Sequence, residues 1–269
     1  MRIAVVQMAS GSNREANLVE AGRLIEQAVG EGANVVVLPE NFGMVGAQPE
    51  DVLEVVETPG RGTMQDFLAD QAASQGILVI GGSIPLATSN PAKYFNSLLA
   101  YGPDGSCTGR YDKIHLFDVT IPDGGDSYHE SELIESGHDT LVIEYQSTKI
   151  GLSICYDLRF PELYRGLVQQ GAEVLVVPAA FTAETGQAHW HTLLKARAIE
   201  NLAFVVASAQ GGYHVNGRAT YGHSMIVDPW GNTLDELKSG NGFAIADIDL
   251  ARQQQIRQRF PVLEHRKLF

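Results

Sequence analysis

Cysteine is scarce in this chain: only Cys107 and Cys155 occur among 269 residues. Two cysteines build no disulfide framework, and neither sits in a C-x-x-C metal spacing. No apolar run approaches the roughly 20 residues that a membrane-crossing helix needs. Residues 1–8 run directly into a strand pattern, with no signal-peptide architecture. Together these absences predict a reducing, cytoplasmic setting. Basic residues are also in deficit, 19 Lys and Arg against 32 Asp and Glu, for a net charge of −13. That field repels nucleic acid and anionic membranes, so neither is expected as a partner. A small anionic substrate stays open, because a few local arginines outweigh a distant field at short range. The glycine pairs at 81–82 and 211–212 lack the lysine of a phosphate-binding loop and read as turns.

What is present is enough apolar residue, 44%, for a sizeable core, and a single domain over residues 1–269 is expected. The chain also repeats itself. Residues 32–42 (G-A-N-V-V-V-L-P-E-N-F) match residues 171–181 (G-A-E-V-L-V-V-P-A-A-F). Each block is a buried-strand pattern closed by a proline and preceded by a helix-like stretch, 17–29 and 162–170. The correspondence extends to 3–9 with 150–156, 77–83 with 204–210, and 97–105 with 224–231, in the same order. Each half reads strand, helix, strand, helix, strand, strand, which makes a largely parallel sheet covered by helices. Two such halves bury their remaining sheet faces against each other. The predicted fold is α/β, a four-layer α-β-β-α sandwich of two pseudo-symmetric halves.

Functional groups in such sheets gather at the carboxyl ends of strands. Residues 149–162 (K-I-G-L-S-I-C-Y-D-L-R-F-P-E) form an apolar strand that ends on Cys155 before a helix opens at Pro161. A thiol there is a small core hydrophobe or a nucleophile beside free backbone N–H groups. Glu40 follows five apolar or proline residues; desolvation is expected to raise its pKa toward the range of a general base. Lys113, in an alternating run, is a snorkelling strand lysine or a cation that lowers a thiol pKa and holds an oxyanion. Glu130 could orient that lysine, but chemistry alone does not separate it from Glu132 or Glu135.

The order L-P-E (38–40), Y-D-K-I-H-L-F-D (111–118) and I-C-Y-D-L-R-F-P-E (154–162) resembles the carbon–nitrogen hydrolase, or nitrilase, superfamily. The likeness covers essentially the whole chain, including P-V-L-E-H-R at 261–266. It implies that Glu40 is the general base, Lys113 the orienting and oxyanion-holding cation, Cys155 the nucleophile and Glu130 an auxiliary glutamate. It also implies the same four-layer sandwich and a homodimer or higher homo-oligomer. In that chemistry Cys155 attacks an amide, the oxyanion lies between Lys113 and the backbone N–H of Tyr156, and a thioester follows. No metal or organic cofactor is required.

H-L-F-D-V (115–119), C-Y-D-L-R-F-P-E-L (155–163) and A-x-W-x-x-L-x-x-A-R-A (188–198) look most like the Nit branch. That likeness implies a small carboxylate-bearing amide as substrate, deaminated glutathione ahead of α-ketoglutaramate or succinamate; nitrilase or carbamoylase activity is the further alternative. Arg159 is the first candidate for the carboxylate, ahead of Arg197 and Arg218. Phe181 and Thr182 end the strand equivalent to the one carrying Glu40 and are expected to line the pocket.

Rival readings are set lower. Residues 151–155 lack the last glycine of a G-x-S-x-G elbow, so Ser153 is not expected as a nucleophile. His189 and His191 have no third ligand at suitable spacing, and no metal site is expected. A Cys–His enzyme would use His115 or His223 as base. A non-catalytic binding protein on the same scaffold would have no need of all three charged and nucleophilic groups.

Overall fold

Apolar runs alternating with amphipathic stretches become strands alternating with helices. The computed structural model describes residues 1–121 and 127–268. The first half runs β1 (Arg2–Gln7), α1 (Arg14–Gly30), β2 (Val35–Val37), α2 (Thr63–Gln75), β3 (Leu78–Ile80), β4 (Ile84–Ala87), β5 (Tyr94–Tyr101) and β6 (Cys107–Asp112). A ribbon of β7 (Asp118–Thr120) and β8 (Ser127–His129) stands between the halves. The second half runs β9 (Val142–Tyr145), β10 (Thr148–Leu152), α3 (Pro161–Gln169), β11 (Val174–Ala179), α4 (Ala183–Asn201) and β12 (Phe204–Ala209). It continues with the hairpin β13 (Gly211–Tyr213) and β14 (Ala219–Tyr221), then β15 (Ser224–Val227) and β16 (Thr233–Leu237). β17 (Gly242–Asp247) and α5 (Leu250–Arg259) close the described chain.

The two sheets repeat one plan. Three parallel strands, β1-β2-β3 and β10-β11-β12, are flanked by antiparallel β5 and β15 respectively. The pleat then assigns the layers, because successive side chains face opposite sides of a sheet. Ile3, Val5, Val35 and Val37 pack toward Ile150, Leu152, Val174 and Val176 of the other sheet. Their neighbours Ala4, Val6, Val36 and Leu38 pack under Leu24 and Ile25 of α1 and Met64 and Leu68 of α2. α3 and α4 cover the far side through Leu163, Leu167, Trp190 and Leu194. The predicted four-layer sandwich is therefore the observed fold. The sheets carry strands beyond the predicted four per half, and one comes from far away: β17 leaves the second half and pairs antiparallel with β1, so the first sheet is completed from the far end of the chain.

Candidate active site

Glu40, Lys113 and Cys155 converge where strands of both sheets end. Glu40 lies three residues past β2 and Cys155 three past β10. Gly82 makes the first approach possible. It holds φ +56, and a Cβ there would overlap the Pro39 carbonyl oxygen; only glycine takes that conformation and lets the chain leaving β3 pass so close. Gln210, at the end of β12, donates to the Glu40 carbonyl at 3.0 Å and ties the loop to the second sheet.

The Glu40 carboxylate is buried and fully engaged. Oε1 accepts from Lys113 Nζ at 2.9 Å and Asn96 Nδ2 at 3.0 Å, and Oε2 accepts from the Ala180 N–H at 2.9 Å. Lys113 Nζ also donates to both Glu130 oxygens, at 2.9 and 2.8 Å. Lys113 is fully buried, which corrects the alternative of a snorkelling lysine: an ammonium in that position requires counter-charges. Glu130 is now distinguished from Glu132 and Glu135, because it also receives the Phe117 N–H at 2.8 Å and so is braced toward the lysine.

Electrostatics revise two expectations. Burial pushes the Glu40 carboxyl up, but Lys113, the hydrogen bonds from Cys155 and Lys113, and the charge of Arg218 together hold it below the ordinary range. The predicted raised carboxyl is thus corrected: an opposite charge at hydrogen-bond distance outweighs desolvation. For Cys155, burial and then the Glu40 charge push the thiol well above its usual value, and Lys113 offsets only part of this. Lys113 itself, lowered by burial, is carried well above its ordinary value by Glu130, Glu40 and Cys155. The resting set is carboxylate, ammonium and neutral thiol, with the thiol hydrogen-bonded to Glu40.

Cys155 sits at φ +49, a left-handed conformation that a non-glycine residue holds only under constraint. The constraint is Asp157, which sequence reasoning missed. Its buried carboxylate accepts from the Ile154 N–H at 2.8 Å, the Tyr111 hydroxyl at 2.7 Å and the His115 N–H at 3.1 Å, and contacts His115 Nδ1 at 2.7 Å. The only sequence signal was its place two residues after the cysteine. Ser153 hydrogen-bonds the Val176 carbonyl and Tyr164 hydroxyl inside the core, consistent with its exclusion as a nucleophile. His115 is stacked on Phe160 and bound to Asp157, and neither it nor His223 lines the Cys155 cavity.

Cys155, Glu40 and Glu130 line a small cavity of about 30 Å³ together with Tyr156, Arg159, Phe181 and Thr182. All four predicted lining residues are therefore at the site. Asn41 and Phe117, unremarked in the sequence, join them. Through Asn41, Phe117, Glu130 and Arg218 the cavity adjoins a groove of about 690 Å³. Arg159 and Arg218 both line the cavity, and among the described residues neither forms an ion pair with a carboxylate. Arg197 is corrected: its guanidinium is buried against the Leu158 carbonyl and Glu200, a structural role. The histidine pair divides: His189 meets Arg159 at 3.3 Å, whereas His191 joins His223 and Glu236. The absence of a third ligand holds along the chain but not in space.

The sequence profile of the family described as "Carbon-nitrogen hydrolase" matches residues 2–258. The protein named deaminated glutathione amidase of Synechocystis sp. is 45% identical over 266 residues, 98% of this chain and 97% of that one. The omega-amidase NIT2 of Mus musculus is 35% identical over 99% of this chain and 95% of its own. Among solved structures, the NitFhit protein of C. elegans superposes with a TM-score of 0.90 at 37% identity, over 99% of this chain and 65% of that longer one.

Proposed function

Because the chain belongs to the carbon–nitrogen hydrolase family, we propose that Glu40, Lys113 and Cys155 carry out its amide hydrolysis and that its substrate is deaminated glutathione. The observation that carries the reading is one buried constellation: a thiol hydrogen-bonded to a carboxylate that lies 2.9 Å from an ammonium. Glu40, ionised and touching the thiol, takes the Sγ proton as sulfur attacks the amide carbon. The oxyanion is held by the Lys113 ammonium and the Tyr156 N–H. Collapse breaks the C–N bond, Glu40 returns its proton to the leaving nitrogen, and ammonia departs from a thioester. Glu40 then deprotonates water, which releases the acid and restores the thiol. Glu130 keeps the single charge of Lys113 paired when Glu40 is protonated, so the lysine stays fixed while Glu40 cycles between its two protonation states.

Arg159 and Arg218 supply forked cations for a substrate carboxylate. The adjoining groove of about 690 Å³ lies in the size range of small-molecule sites and suits a substrate that extends beyond a five-carbon monoamide. Together with the name borne by the Synechocystis relative, this favours deaminated glutathione. The murine omega-amidase relative makes the shorter monoamides the second reading.

The test is ammonia release from deaminated glutathione, α-ketoglutaramate, succinamate, an N-carbamoyl amino acid and an aliphatic nitrile. Release from the first, lower by a factor on the order of 10⁴ in Cys155→Ala and about 10²–10⁴ in Glu40→Gln, is expected. Release only from the shorter monoamides would make the enzyme an ω-amidase. Undiminished turnover by Cys155→Ala would remove the nucleophile.

A further inference from the structure

His191 of α4, His223 in the turn between β14 and β15, and Glu236 of β16 come from three separate elements and meet outside the Cys155 cavity. One potential ligand atom from each lies within 4.8 Å of the other two. His191 Nε2 is 2.9 Å and His223 Nδ1 2.5 Å from the same oxygen, Glu236 Oε1. We propose that this triad is a binding site for a zinc-class divalent transition ion, completed by solvent.

Two imidazoles and one carboxylate are the donor set that suits such ions, with a fourth tetrahedral position left to water. At bond lengths of about 2.0–2.2 Å, tetrahedral donors stand about 3.3 Å apart. Loading therefore needs the two His–Glu contacts to open by less than about 1 Å and the two ring nitrogens, which lie within 4.8 Å of each other, to settle at the same spacing. The rings are held by their neighbours. Tyr221 stacks on His223 with centroids 4.2 Å apart and stands edge-on to His191 at 5.9 Å. The His223 carbonyl accepts from Trp190 Nε1 at 2.9 Å. His223 also holds φ +56, a conformation that persists in a non-glycine residue only when its surroundings impose it. A carboxylate oxygen accepts, so each imidazole that contacts Glu236 offers it an N–H. On loading, the ring nitrogens that face Glu236 give up those protons, because an imidazole ligates through a lone pair. Partial exposure of all three residues leaves an entry path. The bound ion would tie the edge strand β16 to α4, whose Trp190 packs on Phe181 of the cavity wall.

The probe is cobalt(II), titrated into the untagged full chain carrying Cys107→Ser and Cys155→Ala so that no thiol competes. One equivalent is expected to bind with visible d–d absorption, to be displaced by one equivalent of zinc, and to raise the melting temperature. Glu236→Gln and His191→Ala should each weaken uptake at least tenfold and abolish the thermal shift, while His189→Ala on the same helix should leave both intact. Folding of each variant is checked by circular dichroism. Absence of saturable uptake by the parent, or equal uptake by a folded Glu236→Gln, would overturn the site. The readout needs no turnover, so it is independent of the amidase reading.

Discussion

Lys113 brings one positive charge into a space walled by two carboxylates and a thiol, with no contact to solvent. Removing it, as in Lys113→Met, would leave Glu40 and Glu130 facing each other, and an uncompensated buried charge costs about 3–5 kcal/mol. The charges also set the response to pH. Glu40 is held below its ordinary 4.5, so its contribution to stability is complete above that value and disappears as pH falls through its folded pKa. Cys155 has the opposite sign. Its thiol is raised well above the ordinary 9.0, so its contribution is complete below pH 9.0 and decays as the unfolded chain loses the proton that the folded one keeps. The buried tyrosines Tyr94, Tyr101, Tyr111 and Tyr164 are raised from 10.0 and add to the loss as pH reaches that value, in parent and variant alike. Thermal melts at pH 8.5 and 10 should therefore show a smaller loss of stability in Cys155→Ala than in the parent. An equal loss would mean that the thiol is not held between burial and Glu40.

At the scale of the element, the site depends on how strands end. β2 is only three residues long, and the next three residues carry Glu40 into the cleft alongside the turn at Gly82. Gly82→Ala forces a side chain against the Pro39 carbonyl in a left-handed conformation. It is expected to destabilise the protein by about 1–3 kcal/mol and to lower kcat more than the melting temperature alone explains, because Glu40 moves. Normal kcat with lowered stability would show that the loop carrying Glu40 is set elsewhere. The turn after β10 works by a different device: Asp157 satisfies the Ile154 N–H, Tyr111 and His115 together, which holds Cys155 in its constrained conformation. The strands and helices of the repeat were legible in the sequence because their apolar patterns are local. The turns were not, since a three-way carboxylate brace joins residues 42 and 46 positions apart.

For the whole molecule, the repeat of strand and helix gives two sheets on one plan, and their stacking creates the cleft. Trp230 and Phe260, rings 5.5 Å apart, and Ile199 beside Gly231 leave apolar surface in solvent. Light scattering is expected to give a mass of twice 29.1 kDa or a higher multiple, as the family resemblance implies; a monomer at micromolar concentration would refute it. The layer order was legible in the sequence alone, because the order of elements and the period of apolar positions are local properties, and the motif order singled out Glu40, Lys113 and Cys155 as the candidate reactive groups. Tertiary structure alone decided that Glu40 is lowered rather than raised, that Arg218 and not Arg197 faces the pocket, and that His191 finds partners 32 and 45 residues away. The physical reason is common to all three: charge, burial and ligand distance are pairwise quantities, and the pairs exist only after the sheets have stacked.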